Sequence, residues 1–225
     1  MSQMPRQPEP ELMDLDHEAQ AYADADFRDV NARFVERLLE LVPPHQPMRA
    51  LDVGCGPGDI PIDVAGRCPG WSITAVDAAD AMLRIARQRA ARARVQNLRF
   101  VRDDAKTLAS LDDGFDVIFS NSLLHHLPDP SGFWRQLKRL SRPATVVFLR
   151  DLARPASVHD ADRIVLQYAG NESATLQEEF RRSLLSAFTI DEARVQLDAA
   201  NLHELQVDMS SDRHFDVWGV IRSTN

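Results

Sequence analysis

The chain has 225 residues, of which 44% are hydrophobic and 27% charged, and its formal net charge is -8. This composition is typical of one globular domain and excludes a largely disordered chain. The acidic balance provides no bulk attraction to nucleic acid or to an anionic membrane, and no apolar run approaches the ~18 residues that a membrane span needs. With only two cysteines, Cys55 and Cys68, we expect neither a disulfide framework nor a four-cysteine zinc site.

Residues 1–45 are predicted to form an N-terminal tail and a cap helix. Residues 1–13 contain three prolines and lack the basic start and apolar stretch of a signal peptide, which favours a cytoplasmic protein with a loose tail. From about Asp14 to Leu41 apolar residues recur at three-and-four spacing, which predicts a helix that Pro43-Pro44 would end.

Residues 46–225 alternate between strand and helix patterns and are predicted to form the main domain. The predicted strands are 48–54, 71–77, 98–104, 115–121, 144–152, 203–209 and 214–221, and the predicted helices between them are 59–67, with Asp59 as its N-cap, 80–94 and 132–140. This alternation predicts a three-layer α/β/α, Rossmann-like fold around a mostly parallel seven-stranded sheet. The last two strands would form a hairpin that adds an antiparallel strand. Residues 155–200 are predicted to be a helical lid insertion.

A glycine-rich segment follows the first predicted strand and opens a helix: Asp52-Val53-Gly54-Cys55-Gly56-Pro57-Gly58. Ligands of an open parallel sheet bind beyond the carboxyl ends of its strands, where glycine lets the backbone approach them closely. The dinucleotide fingerprint would need a glycine at Asp59, whose carboxylate would instead oppose a pyrophosphate, and a P-loop ending is missing. The segment is therefore either an ordinary tight turn or a site for a nucleoside without phosphates.

This segment resembles the glycine motif of the class I S-adenosylmethionine-dependent methyltransferases, including its acidic residue. The resemblance covers about residues 48–152 and the terminal hairpin, and it is nearest to the quinone-biosynthesis and natural-product type. It implies S-adenosylmethionine as the methyl donor, S-adenosylhomocysteine as the product and a small-molecule acceptor.

The resemblance also implies a set of cofactor-binding residues. Asp77 would accept both ribose hydroxyls, or else cap the next helix, and Met82 would cover the adenine, or else pack in the core. Asp104-Ala105 would read the adenine amino group, with Asp103 as the alternative acid, while Tyr22 and Phe27 would cover the methionine end. The full set is Tyr22, Asp52, Gly54, Cys55, Gly56, Gly58, Asp77, Ala78, Met82, Asp104, Ala105, Asn121 and His126.

Methyl transfer displaces a leaving group at an already activated carbon, so it requires positioning and exclusion of water, and a base only where the acceptor must lose a proton. The predicted catalytic or substrate-contacting residues are His125, Arg150, Asp151 and Tyr168. For Arg150 and Asp151 the alternative is a structural ion pair or a cap. No metal is predicted at the adjacent His125 and His126, because neighbouring helical residues point about 100° apart.

We expect no nucleic-acid or membrane partner, and a homodimer is possible. The seven arginines between residues 84 and 102 are interpreted as a solvated helix face and not as an RNA-binding surface. Two other functions stay open: a family member with decarboxylase or hydroxylase chemistry, and a non-catalytic binding module.

Overall fold

A computed structural model describes residues 4–9, 14–112 and 114–222 of the chain. Within these residues seven strands form one sheet: β1 (Arg49–Val53), β2 (Ser72–Asp77), β3 (Leu98–Arg102), β4 (Phe115–Asn121), β5 (Ser141–Leu152), β6 (Leu205–Met209) and β7 (His214–Ile221). The strand order is β3-β2-β1-β4-β5-β7-β6. All neighbouring strands are parallel except β7, which is antiparallel to both β5 and β6. The predicted fold class is confirmed.

Helices cover both faces of the sheet. They are α1 (Asp16–Asp24), α2 (Arg28–Leu41), α3 (Asp59–Arg67), α4 (Asp80–Ala93), α5 (Ser131–Leu140), α6 (Val158–Ala169), α7 (Ala174–Ser186) and α8 (Ile190–Ala199), with a short 3-10 turn at Leu124–His126. On one face Phe34 of α2 stacks on Phe148 of β5 with ring centroids 4.6 Å apart. On the other face Phe133 of α5 and Leu197 of α8 share a buried core with the sheet. The result is three layers, each helix burying one apolar face.

The N-terminal helix predicted over residues 14–41 is two helices, separated at residues 25–27. Asp26 explains the break, because its Oδ1 accepts a hydrogen bond of 3.2 Å from the amide of Arg28. A short side chain that bonds nearby backbone in this way favours a turn over a continuing helix. A second local prediction was also wrong: Gly58, and not Asp59, is the N-cap of α3.

The described part of the predicted tail, residues 4–9, is docked and not loose. The amide of Gln7 donates to the carbonyl of Leu185 at 3.0 Å, and the guanidinium of Arg6 donates to backbone carbonyls of residues 125, 127, 128 and 186. The loose tail was predicted from composition alone. Composition does not reveal the carbonyls that hold Arg6, because they lie more than 100 residues away in the chain. The remainder of residues 1–13 lies outside the described residues.

The helices of residues 155–200 do not form one unit. Helices α6 and α7 pack on each other and on Leu152, whereas α8 packs against α5 and β6. Helix α8 begins with a capping box, in which Thr189 and Glu192 exchange hydrogen bonds with each other's backbone. None of the helices in the described ranges is long and apolar enough to cross a membrane.

Candidate functional site

A cavity lies beyond the carboxyl ends of β1, β2 and β4, where the strand order reverses between β1 and β4. This is the position at which open α/β sheets bind ligands. Twelve of the thirteen predicted cofactor residues line the cavity: Tyr22, Asp52, Gly54, Cys55, Gly56, Asp77, Ala78, Met82, Asp104, Ala105, Asn121 and His126. The exception is Gly58.

The glycine loop owes its shape to three residues in the left-handed region. Gly54, Gly56 and Gly58 have φ of 76°, 52° and 88°, where other residues are strained. A Cβ on Gly56 would meet no atom within 4 Å, so the backbone there is open to the cavity. A Cβ on Gly58 would lie 3.0 Å from the Cβ of Ala86, so Gly58 instead permits the close approach of the loop to α4.

Two carboxylates occupy the floor of the cavity. Asp52 is only 2% exposed, and its Oδ2 has no hydrogen-bond partner among the described residues. Burial, with a further contribution from the charge of Asp77, raises the pKa of Asp52 well above its usual range. Burial also raises the pKa of Asp77. A buried carboxyl oxygen without a partner is costly, so this site suits a ligand that brings a donor or a cation.

The adjacent acids Asp103 and Asp104 differ in the number of hydrogen bonds that their carboxylates accept. Asp103 Oδ2 accepts hydrogen bonds from the amide and the hydroxyl of Ser110 at 2.8 and 2.5 Å, and its Oδ1 accepts from the Asp104 amide. Asp104 Oδ1 accepts from the amide of Lys106, and its Oδ2 lies 3.3 Å from Lys106 Nζ. Asp103 therefore holds the turn, and both acids line the cavity.

The N-terminal helices cover the cavity. Tyr22, Phe27 and Asn31 line it, and the rings of Tyr22 and Phe27 are 5.0 Å apart. Burial raises the pKa of Tyr22 to about 12, helped by the nearby charges of Asp59 and Asp77. Sequence reasoning missed Asn31 and Lys106 as lining residues. Asn31 follows the helix break that the apolar pattern did not reveal.

The predicted catalytic residues His125 and Asp151 lie together, but neither lines the cavity as the described residues outline it. His125 is 3% exposed, and its Nδ1 lies 2.5 Å from Asp151 Oδ1. The other oxygen of Asp151 accepts the amide of Leu124 at 2.5 Å. Both residues therefore hold the 3-10 turn against the end of β5.

Arg150 and Tyr168 are also held away from the cavity. Arg150 donates through Nε and Nη2 to the two carboxylate oxygens of Asp216, both at 2.7 Å, which is the structural ion pair considered as its alternative. The hydroxyl of Tyr168 donates to Asp212 at 2.8 Å, and its ring lies 3.3 Å from the guanidinium carbon of Arg213. Tyr168 is 42% exposed. These side chains pair with partners on and next to β7, and their expected substrate contacts stay a prediction.

One geometric expectation about the paired histidines was wrong. The ring centroids of His125 and His126 are 4.3 Å apart, although neighbouring residues were expected to diverge. The angular argument concerns Cβ directions, whereas both imidazoles reach beyond Cβ and turn towards the carboxylate of Glu9.

Comparison with known proteins agrees with this architecture. Residues 50–144 match the family model described as a methyltransferase domain. A trans-aconitate 2-methyltransferase of Methylobacterium radiotolerans is 34% identical over 57% of this chain and 48% of its own length. A ubiquinone biosynthesis O-methyltransferase of Albidiferax ferrireducens is 36% identical over 47% of this chain and 42% of its own length. The chain thus spans about half the length of these curated relatives.

Solved structures share the fold. The plantazolicin methyltransferase BamL, crystallised with a triazolic desmethylPZN analogue and S-adenosylhomocysteine, superposes with a TM-score of 0.71 at 13% identity, over 92% of this chain and 91% of that one. Residues 50–144 are thus similar in sequence to a methyltransferase domain, and the strand order and glycine loop lie within a fold that solved methyltransferase structures share.

Proposed function

We propose that the protein transfers a methyl group from S-adenosylmethionine to a small-molecule acceptor. The observation that carries the proposal is the buried Asp52 oxygen without a partner, beside a glycine loop and Asp77 in one cavity. The ammonium group of the cofactor's amino-acid tail would supply the missing partner. A nicotinamide dinucleotide fits less well, because Asp59 stands at the start of α3, where a pyrophosphate would need free amides.

The residues fit the rest of this cofactor as follows. The second lone pair of each Asp77 oxygen can accept a ribose hydroxyl. Met82, 5% exposed, would pack on the adenine, and Asp104 and Ala105 would meet its amino edge. Asn121 and the backbone of Gly54 and Gly56 would contact the methionine moiety. When bound, the cofactor supplies a sulfonium methyl that needs no further activation.

The chain's own contribution is to position the acceptor and exclude water. Tyr22, Phe27 and Asn31 of the N-terminal cap line the cavity and would cover the reacting groups. His126 also lines it and is the candidate proton acceptor where the methyl acceptor must lose a proton. His125 is a poorer candidate, because its Nδ1 is bonded to Asp151 and its ring lies outside the cavity wall.

The acceptor, the assembly and the compartment belong to the same proposal. The two curated relatives are named for different acceptors, so their names favour a small molecule without selecting one. A homodimer, the absence of a nucleic-acid partner and a cytoplasmic location stay predictions. Light scattering of the purified protein measures the oligomeric state.

Calorimetric titration tests the cofactor assignment. We expect S-adenosylmethionine and S-adenosylhomocysteine to bind and NAD not to, and tighter binding of NAD would overturn the proposal. A panel of carboxylic acids, phenols and amines is then incubated with S-adenosylmethionine, and products are weighed by mass spectrometry. A gain of one methyl supports methyl transfer. Loss of carbon dioxide or gain of oxygen would select the decarboxylase or hydroxylase alternative, and cofactor binding without any product would select the binding module.

A further inference from the structure

Three side chains with metal-binding atoms converge beside the cavity, and of these His126 lines it. Glu9 comes from the docked N-terminal segment, and His125 and His126 come from the 3-10 turn. Their ligand atoms all lie within 4.8 Å of one another. Glu9 Oε1 is 3.6 Å from His125 Nε2 and 3.2 Å from His126 Nδ1. We propose that these three residues bind a divalent transition-metal ion of the zinc class.

The two distances from the Glu9 carboxylate match the edges of a coordination sphere. Zinc lies about 2.0–2.2 Å from imidazole nitrogens and carboxylate oxygens in tetrahedral sites, which places neighbouring ligand atoms roughly 3.3–3.5 Å apart. The two edges that involve Glu9 bracket that range. Two imidazoles and one carboxylate suit zinc and its transition-metal neighbours, whereas calcium and magnesium prefer oxygen alone.

Asp151 prepares His125 for this role. Its Oδ1 lies 2.5 Å from His125 Nδ1, so in the neutral ring Nδ1 carries the hydrogen and Nε2 presents a lone pair to the Glu9 carboxylate. Two acceptors that face each other need a cation between them. Asp151 is itself fixed by the amides of Leu124 and Leu152. A carboxylate behind a histidine ligand is the usual outer shell of zinc sites.

The competing occupant is a proton. A protonated His125 would form an ion pair with Glu9, and Arg6, which donates to the His125 carbonyl at 2.9 Å, adds a positive charge near the group. Ser183 contributes a hydroxyl 3.3 Å from both oxygens of Glu9 and can orient the carboxylate in either case. The metal ion and the proton therefore compete for the same position. Titration of the protein with metal distinguishes them, because metal binding would release protons.

A bound ion would cross-link residues 4–9 to the 3-10 turn. His126 of this turn also lines the cavity. The inference goes beyond the proposed methyl transfer and does not depend on it. It reverses the sequence-based expectation that the paired histidines bind no metal, since that expectation took no account of Glu9.

The full-length protein, purified without a polyhistidine tag and stripped by chelation, is titrated with Zn²⁺ by calorimetry and with Co²⁺ by visible absorption. We expect one equivalent of metal, release of protons and a tetrahedral Co²⁺ spectrum. Glu9→Gln and His126→Gln each remove one ligand and should weaken binding more than 10-fold. Asp151→Asn removes the outer shell and should weaken it by about 10- to 100-fold. His203→Gln, at an exposed histidine paired with Asp198, is the matched control and should bind as wild type.

Hydrogen exchange provides a readout that is independent of catalysis. Zn²⁺ should slow exchange of the amides of residues 4–9 in the wild type but not in Glu9→Gln, while circular dichroism shows that the variant is folded. Failure to bind one equivalent, or equal affinity in Glu9→Gln and wild type, would overturn the proposal and leave the protonated ion pair. An unaffected His126→Gln would overturn the three-residue site.

Discussion

The carboxylate of Asp77 fastens the glycine loop to the neighbouring strand: its Oδ2 accepts a hydrogen bond of 2.8 Å from the amide of Gly56. Its Oδ1 accepts the amide of Ala79 at 2.9 Å, just before α4 begins. One side chain thus links the end of β2 to the loop after β1 and to the start of a helix. The ligand-binding and capping interpretations of Asp77 are compatible, because each oxygen has a further lone pair.

Asp77→Ala should weaken binding of S-adenosylhomocysteine by roughly 1–3 kcal/mol, because the ribose hydroxyls lose their acceptor in a partly buried site and the loop loses its anchor. Isothermal calorimetry at neutral pH measures the change. Asp63→Ala, at a surface carboxylate of α3 paired with Arg67, is the control and should bind as wild type. Equal affinities of Asp77→Ala and wild type would refute the assignment of the cavity.

The raised pKa of Asp52 predicts a pH dependence of opposite sign for affinity and for stability. A cationic ligand group prefers the ionised carboxylate, so affinity for S-adenosylhomocysteine should fall as pH falls through this pKa. A folded-state pKa above the unfolded value stabilises the fold at low pH, and this stabilisation is lost as pH rises through the folded pKa. As pH falls through the folded-state pKa of Asp52, the affinity for S-adenosylhomocysteine should therefore decrease. Over the same pH range the Asp52 contribution to the free energy of unfolding of the ligand-free protein should increase.

Asp52→Asn isolates this contribution. The variant should bind more weakly than wild type at neutral pH and should lose the Asp52 component of the pH dependence in both measurements, which are calorimetric titration and urea unfolding across a pH series. Asp77, whose pKa is also raised by burial, still contributes in the variant. A wild-type pH profile in Asp52→Asn would show that another group titrates.

Gly56→Ala and Gly58→Ala should separate binding from stability. Both impose a left-handed backbone on alanine, at a cost of about 1–2 kcal/mol. Gly58→Ala adds the close contact with Ala86, so it should be the more destabilising of the two in urea unfolding. Gly56→Ala places its methyl in open space and should cost more in affinity for S-adenosylhomocysteine than in stability. A larger loss of stability in Gly56→Ala than in Gly58→Ala would contradict the assignment of Gly56 to ligand binding and of Gly58 to packing against α4.

Much of the site was predictable because its signals are local in the chain. The glycine loop and Asp77 occur at the ends of clear strand patterns, and Met82 follows in the first turn of α4. Parallel strands bring their ends to one edge of the sheet. Arg150 lies at such an end too, yet its placement was not predictable. Its partner is set by the register of an antiparallel strand, in which Arg150 lies opposite Asp216, 66 residues away. Long-range pairings of this kind leave no periodic trace in the sequence.

The Arg150–Asp216 pair should matter for stability and not for binding. Both side chains are largely buried, at 12% and 9% exposure, so Arg150→Ala leaves a carboxylate without its partner and should lower the free energy of unfolding by about 3–5 kcal/mol. The double variant Arg150→Ala/Asp216→Ala should recover part of the loss, since no unpaired charge is left. Affinity for S-adenosylhomocysteine should stay within about threefold, or 0.65 kcal/mol. Impaired methyl transfer by a stable Arg150→Ala, at unchanged affinity for S-adenosylhomocysteine, would restore the substrate-contact hypothesis.

The N-terminal segment offers the last test, at Arg6. Its guanidinium donates to the carbonyls of His125, Leu127, Pro128 and Ser186 and lies 3.8 Å from the ring centroid of Phe188. Arg6→Ala should therefore destabilise the protein by roughly 1–3 kcal/mol in urea unfolding of the metal-free form. It should also speed hydrogen exchange in residues 4–9 and 124–128.

Arg6→Lys should restore little of this stability, because an ammonium group cannot reproduce a planar fork that serves several carbonyls and stacks on a ring. Arg28→Ala is the control, since that side chain is 88% exposed and pairs only with Asp26 among the described residues. Unchanged exchange in Arg6→Ala would mean that the segment is held by the backbone contact between Gln7 and Leu185 alone. Faster exchange confined to residues 4–9 would mean that the 3-10 turn is held by Asp151 and does not need the segment.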